Sequence, residues 1–152
     1  MITKRREEIN RKNFASLLNE NVSELCKIYD GSGYAFVKLS LANKGLLGIY
    51  EGVWKYPHLR EIELNNNFLS SFQTLAKLQY LVTLNLAKNQ IDDVNLLAND
   101  DSFPRLEVLN LSGNRIKKLS SVYIKRIKRL NLNHNHIDDI SDFDGNKTLE
   151  VL

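Results

Sequence analysis

A chain of 152 residues that is 43% apolar and 26% charged has the size and balance of a single globular domain. Its net charge of +3 is too small to name an anionic partner, and no apolar run approaches the roughly 18 residues that a membrane span needs. Cys26 is the single cysteine, which excludes an intramolecular disulfide and points to a reducing, cytoplasmic compartment.

The first twelve residues are highly charged, and Met1-Ile2-Thr3-Lys4-Arg5-Arg6-Glu7-Glu8 lacks the apolar stretch of a secretory signal. Residues 1–12 are therefore read as a charged tail. Without secretion, the sequons at Asn21, Asn110 and Asn146 are chance occurrences. Over residues 13–35, Phe14, Leu17, Leu18, Leu25, Cys26 and Ile28 recur at helical spacing, with Asn13 or Ser16 available as an N-cap. Gly31-Ser32-Gly33 ends the expected helix, leaving a short linker. Such a helix would cover the apolar end of whatever follows.

From residue 36 onward one spelling recurs: an apolar residue, then apolar residues three and five positions later. It reads Phe36-x-x-Leu39-x-Leu41, Leu59-x-x-Ile62-x-Leu64, Leu81-x-x-Leu84-x-Leu86, Leu106-x-x-Leu109-x-Leu111 and Ile127-x-x-Leu130-x-Leu132, with a sixth copy opening at Leu149 and reaching Leu152. The starts lie 21 to 25 residues apart, the period of leucine-rich repeats. Alternating apolar positions four and six make a short strand with one buried face. Parallel stacking then gives an α/β, right-handed solenoid over 36–152 with a concave sheet and a helical N-terminal cap. Further inward groups come from Leu46, Leu69, Ile91, Ile116 and Ile137, and from Ile49, Phe72, Val94, Leu119 and Ile140. Position nine holds Asn67, Asn89, Asn114 and Asn135; an amide both donates and accepts, so a column of them can serve as a structural ladder for buried backbone groups. Lys44 fills that slot in the first repeat, marking it as an end unit. Pro57 and Pro104 stand two residues ahead of repeat starts, and Asn99-Asp100-Asp101-Ser102 should bulge outward.

Strand alternation assigns the concave face. Its outward positions are Lys38 and Ser40; Glu61, Glu63 and Asn65; Thr83, Asn85 and Lys88; Val108, Asn110 and Ser112; and Arg129, Asn131, Asn133 and His134. The face is polar, free of aromatics, and runs from acidic to basic, the expected partner-binding surface of a solenoid. The apolar end at Leu149 and Leu152 is a second candidate: either the polypeptide is a piece of a longer one or another chain covers that end.

Catalytic and metal-binding readings fare poorly. Asn133-His134-Asn135-His136 has the letters of an HNH nuclease string, but Asn135 falls in the ladder and the repeat turn points its neighbours apart. The same geometry disfavours metal ligation by His134, His136, Asp138 and Asp139, since a metal needs three or four convergent ligands. Cys26 lies on the apolar side of the expected cap helix and is read as a small buried hydrophobe. No phosphate-binding loop, carboxylate pair or nucleophile elbow occurs, so no enzyme activity and no cofactor are expected. Arg115, Lys117, Lys118, Lys125, Arg126, Lys128 and Arg129 form an acid-free basic run. Repeat geometry splits it between opposite rims, and Asp138, Asp139, Asp142 and Asp144 can neutralise the first group. A solvated rim is the expected outcome, with nucleic acid disfavoured as a partner.

The segment ahead of the repeats carries a more specific likeness. Leu17-Leu18-Asn19-Glu20, Ser23-Glu24-Leu25-Cys26-Lys27 and Gly31-Ser32-Gly33-Tyr34-Ala35-Phe36-Val37-Lys38-Leu39 resemble the opening region of the leucine-rich-repeat radial-spoke protein of cilia and flagella. Phe103-Pro104-Arg105-Leu106-Glu107-Val108-Leu109-Asn110-Leu111 resembles a later, proline-led repeat of that family. The resemblance implies a non-enzymatic axonemal scaffold of the third radial spoke, near its head, held in a large hetero-complex by contacts with other spoke proteins and without a membrane. The repeats alone resemble the wider 22-residue intracellular subtype. That subtype supports an alternative, a regulatory subunit that grips a soluble enzyme such as a protein phosphatase in its concave face.

Overall fold

The structure is a computed structural model that describes residues 2–99, 101–119, 122–141, 143 and 148–150. Helix α1 (Ile2–Asn21) leads into strand β1 (Val22–Lys27), and six strands follow one another in a single sheet ordered β1 to β6. The others are β2 (Tyr34–Ser40), β3 (Glu61–Glu63), β4 (Thr83–Asn85), β5 (Val108–Asn110) and β6 (Arg129–Asn131). From β2 onward the pairing is parallel and in strict repeat register, with Lys38, Glu61, Thr83, Val108 and Arg129 side by side. Short 3₁₀ turns at Glu51–Lys55, Gln73–Lys77 and Asn95–Ala98 return the chain over the opposite face. This is an α/β leucine-rich-repeat solenoid.

One continuous apolar cluster fills the coil, from Phe14 and Leu18 to Leu130. Leu59, Leu81, Leu106 and Ile127 enter it from tight turns just ahead of their strands. Each donates its N–H to the carbonyl three residues back, at 3.1–3.3 Å. In the first repeat that turn is missing. Residues 34–40 form one extended strand whose side chains alternate strictly, so Val37 and Leu39 go inward while Phe36 is left 39% exposed. Phe36 therefore does not take the inward place assigned by spacing; it packs edge-on to Tyr56, centroids 6.3 Å apart. Ile140, also counted inward, is 61% exposed.

The ladder asparagines join adjacent coils. Asn89 Nδ2 donates to Leu64 O and Leu86 O, both at 3.0 Å, and Asn89 Oδ1 accepts from Leu69 N–H at 3.0 Å. Asn67, Asn114 and Asn135 repeat the arrangement one coil along in each direction. In every case the amide reaches a carbonyl and an N–H of the preceding coil as well as a carbonyl of its own. Lys44 needs no amide because Asn67 Oδ1 accepts from both Lys44 N–H (3.1 Å) and Leu46 N–H (3.0 Å). The residue before each ladder slot is left-handed: Asn43, Asn66, Lys88, Gly113 and His134 have φ between 54° and 67°. At Gly113 a Cβ would also meet Lys88 Cγ at 3.2 Å.

The cap differs from the expected single helix over 13–28. Helix α1 starts at Ile2, so the segment read as a charged tail is its first half, and Asn13 and Ser16 lie inside it rather than at its start. It ends at Asn21, whose side-chain amide donates to Leu17 O at 2.8 Å. Residues 22–27 form an antiparallel strand against β2, with Val22 opposite Leu39 and Lys27 opposite Tyr34. Gly31-Ser32-Gly33 breaks the chain as anticipated, but between two strands: Ile28 N–H donates to Gly33 O, and Ser32 N–H to Asp30 Oδ1, both at 2.8 Å. Two elements therefore do the capping. Strand β1 covers the backbone edge of β2, while α1 covers the apolar end with Phe14 and Leu18. Phe14 meets Tyr50 edge-to-face at 5.5 Å, and Arg11 lies 5.2 Å over the same ring. Gly52 admits the close approach of α1, since a Cβ there would stand 3.3 Å from Leu18 Cδ1. Asp101 and Ser102 close a turn on Asn99 and deliver the left-handed Phe103 (φ 52°) into the core, stacked on Phe72 at 6.0 Å.

Asn89→Ala leaves the buried Leu69 N–H without its partner, at about 1–3 kcal/mol, and removes one of the two amide donors at Leu64 O and at Leu86 O. Urea denaturation should show a loss of about 3 kcal/mol with the circular dichroism spectrum of the native state retained. Phe14→Ala should cost about 3 kcal/mol and raise amide hydrogen exchange along α1 before the repeats, because the helix is held by its packing.

Candidate functional site

The concave positions lie side by side on one face, as their register requires. Their chemistry is largely turned on itself at the N-terminal end. Lys38 Nζ reaches Glu61 at 2.8 Å and Glu24 at 3.7 Å, and Ser40 Oγ donates to Glu63 Oε2 at 3.2 Å. The hydrogen bond to Glu61 holds the Lys38 ammonium above its ordinary value. Asn85, Asn110 and Asn131 each accept, through Oδ1, the N–H two residues on, at 3.0–3.1 Å, closing the strand end as an Asx turn. Their amide groups remain directed outward, with Asn85 Nδ2 at 3.5 Å from Asn65 Oδ1. Lys88 and His134 are the left-handed turn residues already described, so backbone geometry constrains both. A shallow depression of about 320 Å³ opens between β5 and β6, lined by Val108, Asn110, Arg129, Asn131 and Asn133.

At the far end Leu149 is half-buried against the apolar cluster, and Glu150 N–H donates to Lys128 O at 2.8 Å, so residues 148–150 follow the line of a further coil. Leu152 lies outside the described residues. The basic run divides as its repeat positions require. Lys118 pairs with Asp139 at 3.3 Å and Lys128 with Glu107 at 2.8 Å, each reaching into a neighbouring repeat. Asp142 and Asp144 lie outside the described residues. Asn133 to His136 carry no convergent constellation, and among the described residues no three His, Cys, Asp or Glu side chains come together to hold a metal. Cys26 is half-buried on β1, so it belongs to the hairpin and not to a helix face. Among the described residues no helix is long and apolar enough to cross a membrane.

One arrangement escaped the sequence reading. The residue immediately before each repeat start forms its own column along a rim, and there His58, Tyr80 and Arg105 stack. The His58 and Tyr80 centroids are 5.1 Å apart, and the Arg105 guanidinium carbon lies 4.8 Å over the Tyr80 ring. Aligning the repeats one position further upstream would have exposed the column.

With the geometry in place, comparisons with known proteins bear on identity. The family model for Leucine Rich repeats (2 copies) matches residues 104–152, and that for a single Leucine Rich repeat matches 77–96. The chain is 27% identical over 135 residues to human Leucine-rich repeat-containing protein 23, covering 89% of this chain and 38% of that protein. It is 37% identical over 100 residues to Acidic leucine-rich nuclear phosphoprotein 32 family member A of Drosophila melanogaster, covering 63% of this chain and 37% of that one. The chain thus spans less than two fifths of the length of these relatives. Among solved structures, a chain of the Drosophila melanogaster SNF/U2A′ complex superposes with a TM-score of 0.61 at 21% identity, covering 81% of this chain and 69% of the other; that likeness concerns the fold.

Asp139 offers a test of how the repeat-five turn is closed. Hydrogen bonds from the Ser141 hydroxyl (2.6 Å) and Ser141 N–H (3.0 Å), reinforced by Lys118, lower its carboxyl from 3.8 to about 2. A depressed value means that ionised Asp139 supports the fold above pH 3.8 and that this support vanishes as pH falls through about 2. An NMR titration of the Asp139 carboxyl carbon should give a midpoint near 2, and Ser141→Ala should bring it back towards an ordinary carboxylate.

Proposed function

We propose that this leucine-rich-repeat protein is a non-enzymatic scaffold of the ciliary axoneme, a component of the third radial spoke near its head. The observation that carries the reading is the reach of the likeness to human Leucine-rich repeat-containing protein 23. It extends over 135 residues, whereas the repeats from Phe36 to Leu152 comprise 117, so it must continue into the α1–β1 cap. Repeats diverge and converge readily under a shared packing rule; a helix followed by an antiparallel edge strand is a separate invention. The resemblance of residues 17–39 to the ciliary family falls on that same cap. It covers the end of α1, the whole of β1, the glycine turn and most of β2.

A scaffold role suits the surface. The concave face offers exposed polar side chains and a shallow depression at Arg129, which favours broad, composite contact over the deep capture of one small molecule. Spoke neighbours would engage that face together with the rims of the solenoid. The expected result is that the tagged protein stays with the axoneme when isolated cilia are extracted with detergent and moderate salt. Release into the soluble matrix alongside unattached enzymes would overturn the assignment and favour a regulator of a soluble phosphatase.

A further inference from the structure

The glycine hairpin projects past the sheet, and this creates a cleft that neither the repeat pattern nor the scaffold reading uses. Strand β2 begins at Tyr34, but β3 pairs with it only from Lys38 onward. The hairpin tip therefore overhangs the rim where chains enter their strands. Between tip and rim lies a cleft of about 340 Å³. Its rim side is the His58–Tyr80–Arg105 column together with Arg60, and its hairpin side is Cys26, Lys27 and Ala35.

Two properties define what fits. The first is charge: Lys27, Arg60 and Arg105 line the cleft, and Asp30 is the lone lining carboxylate, already accepting Ser32 N–H at the turn. Among the described residues neither Arg60 nor Arg105 is paired with a carboxylate, whereas Lys38, Lys118 and Lys128 are. The second is size: at about 340 Å³ the cleft admits a segment of only a few residues.

We infer that this cleft binds a short acidic segment of a partner protein, with its carboxylates on Arg60 and Arg105. Guanidinium groups recognise carboxylates through paired N–H donors. The ring column disfavours nucleic acid. His58 and Arg105, from the repeats on either side, flank Tyr80, so that ring is closed to a nucleobase.

The test uses the full chain and three probes: a hexaglutamate peptide, a hexaglutamine peptide of the same length, and a hexauridylate oligonucleotide. Hexaglutamate should shift amide resonances at residues 26–30, 35–37, 58–60, 80 and 105. Affinity should fall about tenfold or more in the double variant Arg60→Glu, Arg105→Glu. Unchanged Trp54 fluorescence shows that this variant is folded, and Arg60→Gln alone should give a smaller loss. The doublet Lys125→Glu, Arg126→Glu should leave affinity unchanged. Absence of shifts, equal binding of hexaglutamine, shifts centred on residues 115–129, or stronger binding of hexauridylate in the cleft would each overturn the inference. The outcome does not depend on the ciliary assignment, since the isolated chain is probed.

Discussion

The asparagine at position nine is the constraint from which the architecture follows. A coil that turns at the end of each strand leaves carbonyls and amides facing its own interior, and each such group left unpaired would cost about 1–3 kcal/mol. One side-chain amide of fixed length reaches a carbonyl and an N–H of the previous coil as well as a carbonyl of its own. The ladder is therefore directional. It explains why the first repeat can carry Lys44 in that slot without loss, since its groups are served by Asn67 from the next coil. It also fixes the residue just before. To place the amide inward the backbone must turn left-handed, a conformation tolerated by Asn43, Asn66, His134 and Gly113 more readily than by most residues. Lys88 adopts it too, without such an intrinsic preference.

A directional ladder leaves the two ends of the solenoid chemically unequal, and the N-terminal end is finished with two unlike devices. An edge strand is a liability because its peptide groups can recruit another chain, whereas an apolar end is a liability because of the surface it exposes. Here β1 addresses the first and α1 the second. The division has a structural consequence in β2. Pairing with β1 keeps that strand extended from Tyr34 to Ser40, which displaces the tight turn used by all later repeats and pushes Phe36 outward.

What the residues disclosed follows the same logic. Positions four, six and nine were legible because each obeys a local rule that repeats: alternation for Ile62 and Leu64, amide bonding for Asn67. The first half of α1 was not legible, since its sequence is dominated by charge and the helix docks through Phe14 and Leu18 on Tyr50 and Gly52, 36 and 34 residues away. Leu25, Cys26 and Ile28 matched a helical period by coincidence. Their extended state is decided by the free edge of β2, and Glu24 at φ 56° marks a break in local regularity that no propensity announces. On the candidate surface, the sequence placed the side chains but not their engagements; that Lys38 is taken by Glu61 depends on a register between separate repeats.

That engagement shifts the weight of recognition along the molecule. Charges that already neutralise one another across strands give little to a partner, because binding would have to replace a formed ion pair with a new one. The concave face is self-paired at Lys38, Glu61, Ser40 and Glu63, and holds a shallow depression near Arg129. At the rim the opposite holds. The hairpin that seals the sheet edge overshoots it, and the overshoot walls a cleft that holds the guanidinium groups of Arg60 and Arg105. A segment of only a few residues with acidic side chains satisfies it, which makes the cap a place of selective attachment as well as a stop.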